Sequence, residues 1–212
     1  MSTTSVQEIR RQLREKFPAA HGSVSLSEEP PTTNQKPFEV ATFPARAISE
    51  LIPAQKGCSL SLWIAGILGE PQETAALPEF VLVDAGDHFD PASYTAAACS
   101  RLLWVRCSHI NDALKATDLL VRDGNIPFIM LDVYSLPMAE LRSISASVWW
   151  RIRQFCESSA CRLIVLSPFP LVPCASLRLS ISTRLTLNDF SQPRAEVLGN
   201  LTAVPNLLRH AH

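Results

Sequence analysis

The chain has 212 residues, of which 47% are hydrophobic and 18% are charged, and its formal net charge is −1. This composition supplies enough apolar material for a core and excludes wholesale disorder, while the balanced charge excludes a global basic field for nucleic acid or an anionic membrane. No apolar run reaches the roughly 20 residues that span a bilayer, and the N-terminus lacks the apolar segment of a signal peptide. We therefore expect a cytoplasmic protein.

The N-terminal 37 residues differ from the rest of the chain. Residues 5–17 predict a short amphipathic helix, with Ser5 and Glu8 spaced as a capping box. Residues 21–37 are rich in Ser, Thr, Glu and Pro, which is typical of a linker. We divide the chain into this N-terminal region, a core domain at residues 38–190 and a C-terminal tail at residues 191–212.

The core domain alternates strands with helices. Short apolar runs predict strands at residues 47–52, 80–83, 102–105, 127–131 and 163–166. Helical patterns fall between them, at residues 58–68, 91–100, 110–122 and 145–158. Residues 177–181 and 184–187 predict a terminal hairpin or strand pair. The pattern indicates a three-layer α/β/α fold with a mostly parallel sheet and antiparallel edge strands.

Two aspartates mark the edge of this sheet where a ligand is expected. Asp84 and Asp132 each end a predicted strand, and open parallel sheets bind ligands beyond the carboxyl ends of their strands. The six cysteines show no C-x-x-C pair and no zinc-like array with His, so we expect buried reduced thiols and no metal.

The order of several segments between Phe43 and Leu187 resembles a known family. The segments are residues 43–50, 83–91, 112–124, 128–132 and 175–181. Their order resembles the core domain of RecA-type recombinases, and more closely the short RecA-like proteins called ImuA, also described as SulA-like. The resemblance implies a RecA-like fold belonging to the P-loop NTPase superfamily.

The segment in the place of the phosphate loop departs from that family. A working loop reads G-x-x-x-x-G-K-S/T, in which the Lys meets the phosphate charge and the hydroxyl binds Mg²⁺. Residues 52–59 keep Gly57 and Ser59, but Ile52 replaces the first Gly and Cys58 replaces the Lys. A neutral thiol cannot supply the charge stabilisation that phosphoryl transfer requires. We expect a degenerate Walker A segment.

The catalytic carboxylates implied by the resemblance are only partly present. Gly86 aligns with the family's water-activating Glu, with Asp87 beside it, whereas Asp132 stands where a Mg²⁺-linked Asp belongs. We expect no catalytic residues, no required cofactor and no more than residual ATP and Mg²⁺ binding at Gly57, Cys58, Ser59 and Asp132. The alternative role of Asp132 is to cap a neighbouring loop.

Two segments are candidates for contact with a protein partner. On a helix Trp149 and Trp150 point about 100° apart, so one is expected in the core and the other on the surface. Trp150 with Arg151 and Arg153 has the composition of an interface hot spot. The second candidate is the proline-stiffened loop at residues 167–174, with Phe169 and Leu171, for which the alternative is folding onto its own core.

The resemblance to ImuA implies a non-catalytic adaptor in DNA-damage-induced (SOS) translesion mutagenesis. The family works beside ImuB, a relative of Y-family polymerases, so a partner of that kind is expected and DNA is touched only indirectly. The alternative is a divergent ATPase near DNA that uses Gly57, Ser59, Asp87 and Asp132. A division inhibitor like SulA is a third interpretation. Self-association stays open, because RecA-type recombinases join subunits through an N-terminal helix.

Overall fold

The structure is a computed structural model that describes residues 39–55, 57, 59–69 and 79–205. The predicted N-terminal helix and linker and Cys58 lie outside the described residues. Within the described part, near-continuous apolar runs form the strands. Their bounds are β1 Ala47–Pro53, β2 Phe80–Asp84, β3 Leu102–Arg106, β4 Phe128–Asp132, β5 Arg162–Leu166, β6 Leu177–Thr183 and β7 Leu201–Pro205.

These strands form one mostly parallel sheet in the order β3-β2-β4-β5-β1-β6-β7. Every neighbouring pair is parallel except β6 and β7, which are antiparallel at one edge. In the register of β2 against β4, Asp84 lies opposite Asp132. Both aspartates therefore end at the same edge of the sheet, as predicted.

The partner of β6 is not the one that the sequence predicted. Residues 184–187 form no strand, and a 3-10 helix follows at Leu187–Ser191. The antiparallel partner is instead β7, which pairs Ser182 with Thr202. The predicted hairpin was wrong because a helical excursion separates the two strands, and the sheet continues beyond residue 190, where the predicted core domain ends.

The helices of the described residues lie between the strands, and their ends follow ordinary capping chemistry. Ser145 accepts a hydrogen bond from the Ser147 amide at the start of one long helix, and Gly124 ends another in the left-handed region at φ 70°. The α-helices are α1 Ser59–Leu68, α2 Ala96–Ser100, α3 Ile110–Asp123, α4 Met138–Arg142, α5 Ala146–Ser159 and α6 Arg194–Leu198.

Alternate residues of the buried strands point to opposite faces, and each face has its own apolar core. On one face Val81, Ile129 and Leu163 pack with residues of α3 and α5. On the other face Leu82 and Met130 pack with residues of α1, α2 and α6. Helices therefore cover both faces of the sheet, which confirms the predicted three-layer α/β/α class with antiparallel edge strands.

The five described cysteines are free thiols, of which Cys156, Cys161 and Cys174 are buried. In the described part of the chain no group of three or more His, Cys, Asp or Glu side chains is arranged to hold a metal ion. Among the same residues, no helix has the length and apolar character required to cross a bilayer.

Candidate functional site

A cleft of about 320 Å³ opens beyond the carboxyl ends of the parallel strands, where ligands bind in this class of fold. Gly57 lines it from the segment before α1, and Asp132 from the end of β4. His88 and Tyr94 line it from the segment after β2, and Arg194 from α6. The structure thus brings two of the predicted nucleotide-binding positions, Gly57 and Asp132, to one cleft.

Asp84 holds the loop that forms one wall of this cleft. Its buried carboxylate accepts backbone hydrogen bonds from Gly86 at 3.2 Å, His88 at 3.1 Å and Phe89 at 2.9 Å. The Trp104 indole N–H donates a fourth hydrogen bond, at 3.3 Å. Because its lone pairs are used by these donors, Asp84 fixes the position of the loop and of His88.

A side chain at the position expected for a water-activating Glu would meet two neighbouring side chains. A Cβ atom on Gly86 would lie 2.4 Å from Ser135 Oγ and 2.5 Å from His88 Cδ2. Both distances are shorter than any ordinary contact, so a Glu here requires the Ser135 and His88 side chains to move. The glycine is therefore part of the packing between this loop and the segment that follows β4.

Asp87, the acid beside that position, is committed to another contact. Its carboxylate accepts two hydrogen bonds from Arg106, at 2.7 and 2.6 Å, in a bidentate pair. The hydrogen bond with Arg106 lowers the pKa of Asp87. Asp87 lines a neighbouring hollow with Cys107 and His109, and it does not line the cleft that contains Asp132.

Asp132 is half-buried, and its surroundings disfavour its charge. Burial raises its pKa to about 6, and the negative charge of Asp84 acts in the same direction. Its carboxylate accepts one backbone hydrogen bond, from Tyr134 at 2.9 Å, which together with His88 partly offsets the rise. This hydrogen bond is the loop-capping role that the sequence left open for Asp132. The carboxylate also lines the cleft, so the two roles coexist.

The hydroxyl predicted to bind Mg²⁺ is enclosed in the protein. Ser59 begins α1, is only 3% exposed, and its Oγ has no hydrogen-bond partner in the described part of the chain. The neighbouring Gly57 and Leu60 line the cleft, whereas Ser59 does not. Of the four predicted positions, Gly57 and Asp132 line the cleft and Ser59 does not. Cys58 lies outside the described residues.

A cation that sequence reasoning missed lines the same cleft. Arg194 opens α6, within the segment that was predicted to be a C-terminal tail, and its guanidinium lies 5.0 Å from the centre of the Tyr94 ring. Tyr94 in turn stacks on Phe89 with ring centres 4.7 Å apart, and burial raises the pKa of Tyr94 to about 12. Pro193 immediately before Arg194 is the sequence signal for a helix start here.

The two tryptophans of α5 face opposite environments, which confirms their predicted separation. Trp149 is 1% exposed and Trp150 is 54% exposed. The guanidinium of Arg153 lies 5.6 Å from the Trp150 ring centre, and Arg151 donates to Asp118 on α3 at 3.2 Å. Trp150 and Arg151 are exposed and Arg153 is half-buried, and Arg151 and Arg153 point to nearly opposite sides of the helix.

The loop at residues 167–174 folds onto its own core, which is the alternative that the sequence left open. Phe169 and Leu171 are half-buried against the apolar cluster beneath α5. Glu50 of β1 anchors the loop, because its buried carboxylate accepts from Ser167 Oγ at 2.8 Å and from the Leu171 amide at 2.6 Å. Partner binding by Phe169 and Leu171 stays a prediction.

Comparison with known proteins finds similarity to solved structures. No protein-family model matches the chain, and no curated protein matches it. Among solved structures, the chain is similar to the crystal structure of the RadB recombinase, with a TM-score of 0.47 and 12% sequence identity. The match covers 68% of this chain and 78% of that chain. The fold assignment itself rests on the layers and strand pairing described above.

Proposed function

We propose that this chain is a RecA-like adaptor that binds a protein partner and does not hydrolyse ATP. The proposal rests on the residues at the expected acid positions near the cleft and on their contacts. Gly86 stands at the position of the water-activating Glu, Asp87 is paired with Arg106, and Asp132 has a raised pKa. In this proposal the fold supplies a shaped surface and takes no part in a chemical step.

Phosphoryl transfer depends on charge stabilisation and on a base that positions water. The cleft's described lining includes the carboxylates of Asp90 and Asp132, opposed by the guanidinium of Arg194. A triphosphate carries several negative charges, and the two carboxylates repel it when they are ionised. These features support a role without ATP turnover.

The exposed face of α5 supports a role in protein binding. Trp and Arg are enriched among residues that carry binding energy at interfaces, and Trp150 is more than half exposed with Arg153 against its ring. The resemblance to ImuA suggests the partner, an ImuB-like relative of Y-family polymerases active in translesion synthesis. In that arrangement DNA is reached through the partner.

One observation favours the alternative, a divergent RecA-like ATPase that acts on or near DNA. Arg194 lines the same cleft as Gly57 and Asp132, so a cation is present beside the remnant of the phosphate site. For this alternative Arg194 takes the place of the missing Lys, and Asp132 must be ionised to bind Mg²⁺.

The partner test is affinity purification of the full chain from damaged cells, with mass spectrometry of the bound proteins. We expect a polymerase relative to be recovered by wild type and lost with Trp150→Ala. The matched control is Val204→Ala, which truncates an exposed apolar residue on β7, 60% exposed. Equal recovery of the polymerase by both variants would remove Trp150 from the interface, and absence of any polymerase subunit would overturn the adaptor role.

A further inference from the structure

A second hollow adjoins the cleft and shares Arg194 with it. This hollow has a volume of about 260 Å³ and also shares Ser61 with the cleft. Its apolar lining consists of Leu62, Leu185 and Val197, and its remaining lining residues are Asp189 and Gln192. We call it the Arg194 groove. It combines an apolar floor with a guanidinium at one end and a side-chain amide nearby.

The guanidinium of Arg194 has no ion pair or hydrogen bond with any residue that the structure describes; its contact is the face of Tyr94. Asp189, which lines the same groove, accepts hydrogen bonds from the Thr186 amide at 2.6 Å and the Thr186 hydroxyl at 2.8 Å in a capping box. Asp90, across the cleft, accepts the Ala92 amide and the Ser93 hydroxyl. Among the described residues, the donors of Arg194 are therefore open to a ligand, while the carboxylates of Asp189, Asp90 and Asp132 line the two hollows that it shares.

From these features we infer that the Arg194 groove binds a short linear peptide of a partner protein in which a large apolar side chain adjoins a carboxylate. The apolar side chain packs against Leu62, Leu185 and Val197, and the carboxylate pairs with Arg194, whose planar fork suits bidentate pairing. Gln192 offers both a donor and an acceptor to the peptide backbone. The inference rests on the proposed adaptor role, since it assigns a contact for the partner.

The number of negative charges on the ligand favours a peptide carboxylate over a phosphate as the ligand of Arg194. A phosphate ester or triphosphate brings more than one negative charge toward a cleft that already contains Asp90 and Asp132. A peptide carboxylate brings one charge and approaches from the groove side, where the floor is apolar. The groove contains one carboxylate, Asp189, beside the guanidinium, whereas the cleft contains two, so a single peptide carboxylate meets less repulsion than a phosphate does.

The test begins with an unbiased selection. A random peptide phage library is panned on the full chain and counter-selected against Arg194→Glu. We expect enriched peptides to share an acidic residue next to Leu, Ile, Phe or Met. Failure to enrich any peptide with this pattern would overturn the inference.

The enriched peptide, labelled with fluorescein, is then titrated by anisotropy. We expect Arg194→Gln and Leu185→Ser each to weaken binding at least tenfold, and higher salt to weaken wild-type binding. The matched control is Arg184→Gln, an exposed arginine that lines neither hollow, which should change binding less than twofold. Equal binding to wild type and Arg194→Gln contradicts the inference.

Competition with Mg-ATP separates this inference from the adaptor proposal. We expect millimolar Mg-ATP to leave the peptide bound. Displacement by Mg-ATP without hydrolysis would identify Arg194 as a phosphate ligand and overturn the peptide site alone. Hydrolysis of ATP would overturn the adaptor proposal whether or not the peptide binds.

Discussion

Glu50 lies in the interior of β1 and Asp132 ends β4, and the surroundings of these two acids differ. Glu50 is fully buried and accepts hydrogen bonds from Ser167, Leu171, Val172 and Arg178, at distances from 2.6 to 3.2 Å. Asp132 is half-buried and accepts one hydrogen bond, from Tyr134. The Glu50 carboxylate is therefore fully hydrogen-bonded within the protein, whereas the Asp132 carboxylate can accept further hydrogen bonds from a ligand in the cleft.

This difference in hydrogen bonding explains why the fold fixes the region around Glu50, whereas the cleft beside Asp132 is open to a ligand. Around Glu50, Arg178 donates both to the carboxylate and to the Val172 carbonyl, so the ion pair and the loop are one network. A buried carboxylate without such partners shifts its pKa instead. Asp132 lacks such a set of partners, and burial raises its pKa to about 6.

The largest expected effect is loss of the cation beside Glu50. Arg178→Ala leaves a fully buried carboxylate without its counter-charge, so we expect unfolding free energy to fall by about 3–5 kcal/mol. The measurement is urea denaturation at pH 7. Arg151→Ala, which removes an exposed ion pair with Asp118, serves as control and should cost less than about 1 kcal/mol. Similar losses for the two variants would contradict the distinction between the regions.

The next effect compares the two register-matched aspartates. Asp84→Ala leaves four donors without their acceptor, so we expect a loss of about 2–4 kcal/mol. Asp132→Ala removes the acceptor of one backbone amide and a disfavoured charge, so we expect a change within about 1 kcal/mol. Denaturation of both variants under one buffer condition measures the difference. Equal losses would show that Asp132 is as structurally committed as Asp84.

Part of this picture could be predicted from the sequence, because strands with continuous apolar runs leave a strong local signal. The strand expected at residues 80–83 begins where β2 begins and ends one residue earlier, and the strand expected at residues 127–131 is shifted by one residue from β4. The placement of Asp84 and Asp132 at one edge followed from parallel strand pairing alone. The burial of Trp149 and exposure of Trp150 followed from helical geometry.

The features that could not be predicted depend on contacts between residues distant in the sequence. Glu50 lies 128 residues from Arg178, and no local pattern distinguishes a buried, paired Glu from an exposed one. The pairing of β6 with β7 spans a helical segment, so the nearer residues 184–187 were chosen in error. Arg194 enters the cleft through α6, a five-residue helix in a region without strong periodicity.

The smallest expected effect is a pH dependence that Asp132 adds to stability. Its folded pKa of about 6 lies above the ordinary value of 3.8, so the folded state binds the proton more tightly than the unfolded state does. Stability therefore falls as the pH rises from about 4 to above 6. The expected loss is about 2 kcal/mol, since one pKa unit corresponds to about 1.4 kcal/mol and the half-buried side chain keeps some hydration.

Asp132→Asn removes this titration. We expect the variant to match wild type near pH 4 and to exceed it at pH 8, measured by thermal or urea unfolding across that range. A wild-type stability that rises through the same interval relative to Asp132→Asn would show that the Asp132 carboxylate is stabilised in the folded state.

The adaptor function requires that the cleft does not turn over ATP. The direct measurement is Mg²⁺-dependent phosphate release by the full chain, alone and with its partner, compared with Asp132→Ala. We predict that both proteins release phosphate at the same background rate. A rate well above background in wild type that disappears in Asp132→Ala would contradict the adaptor function and establish the divergent ATPase.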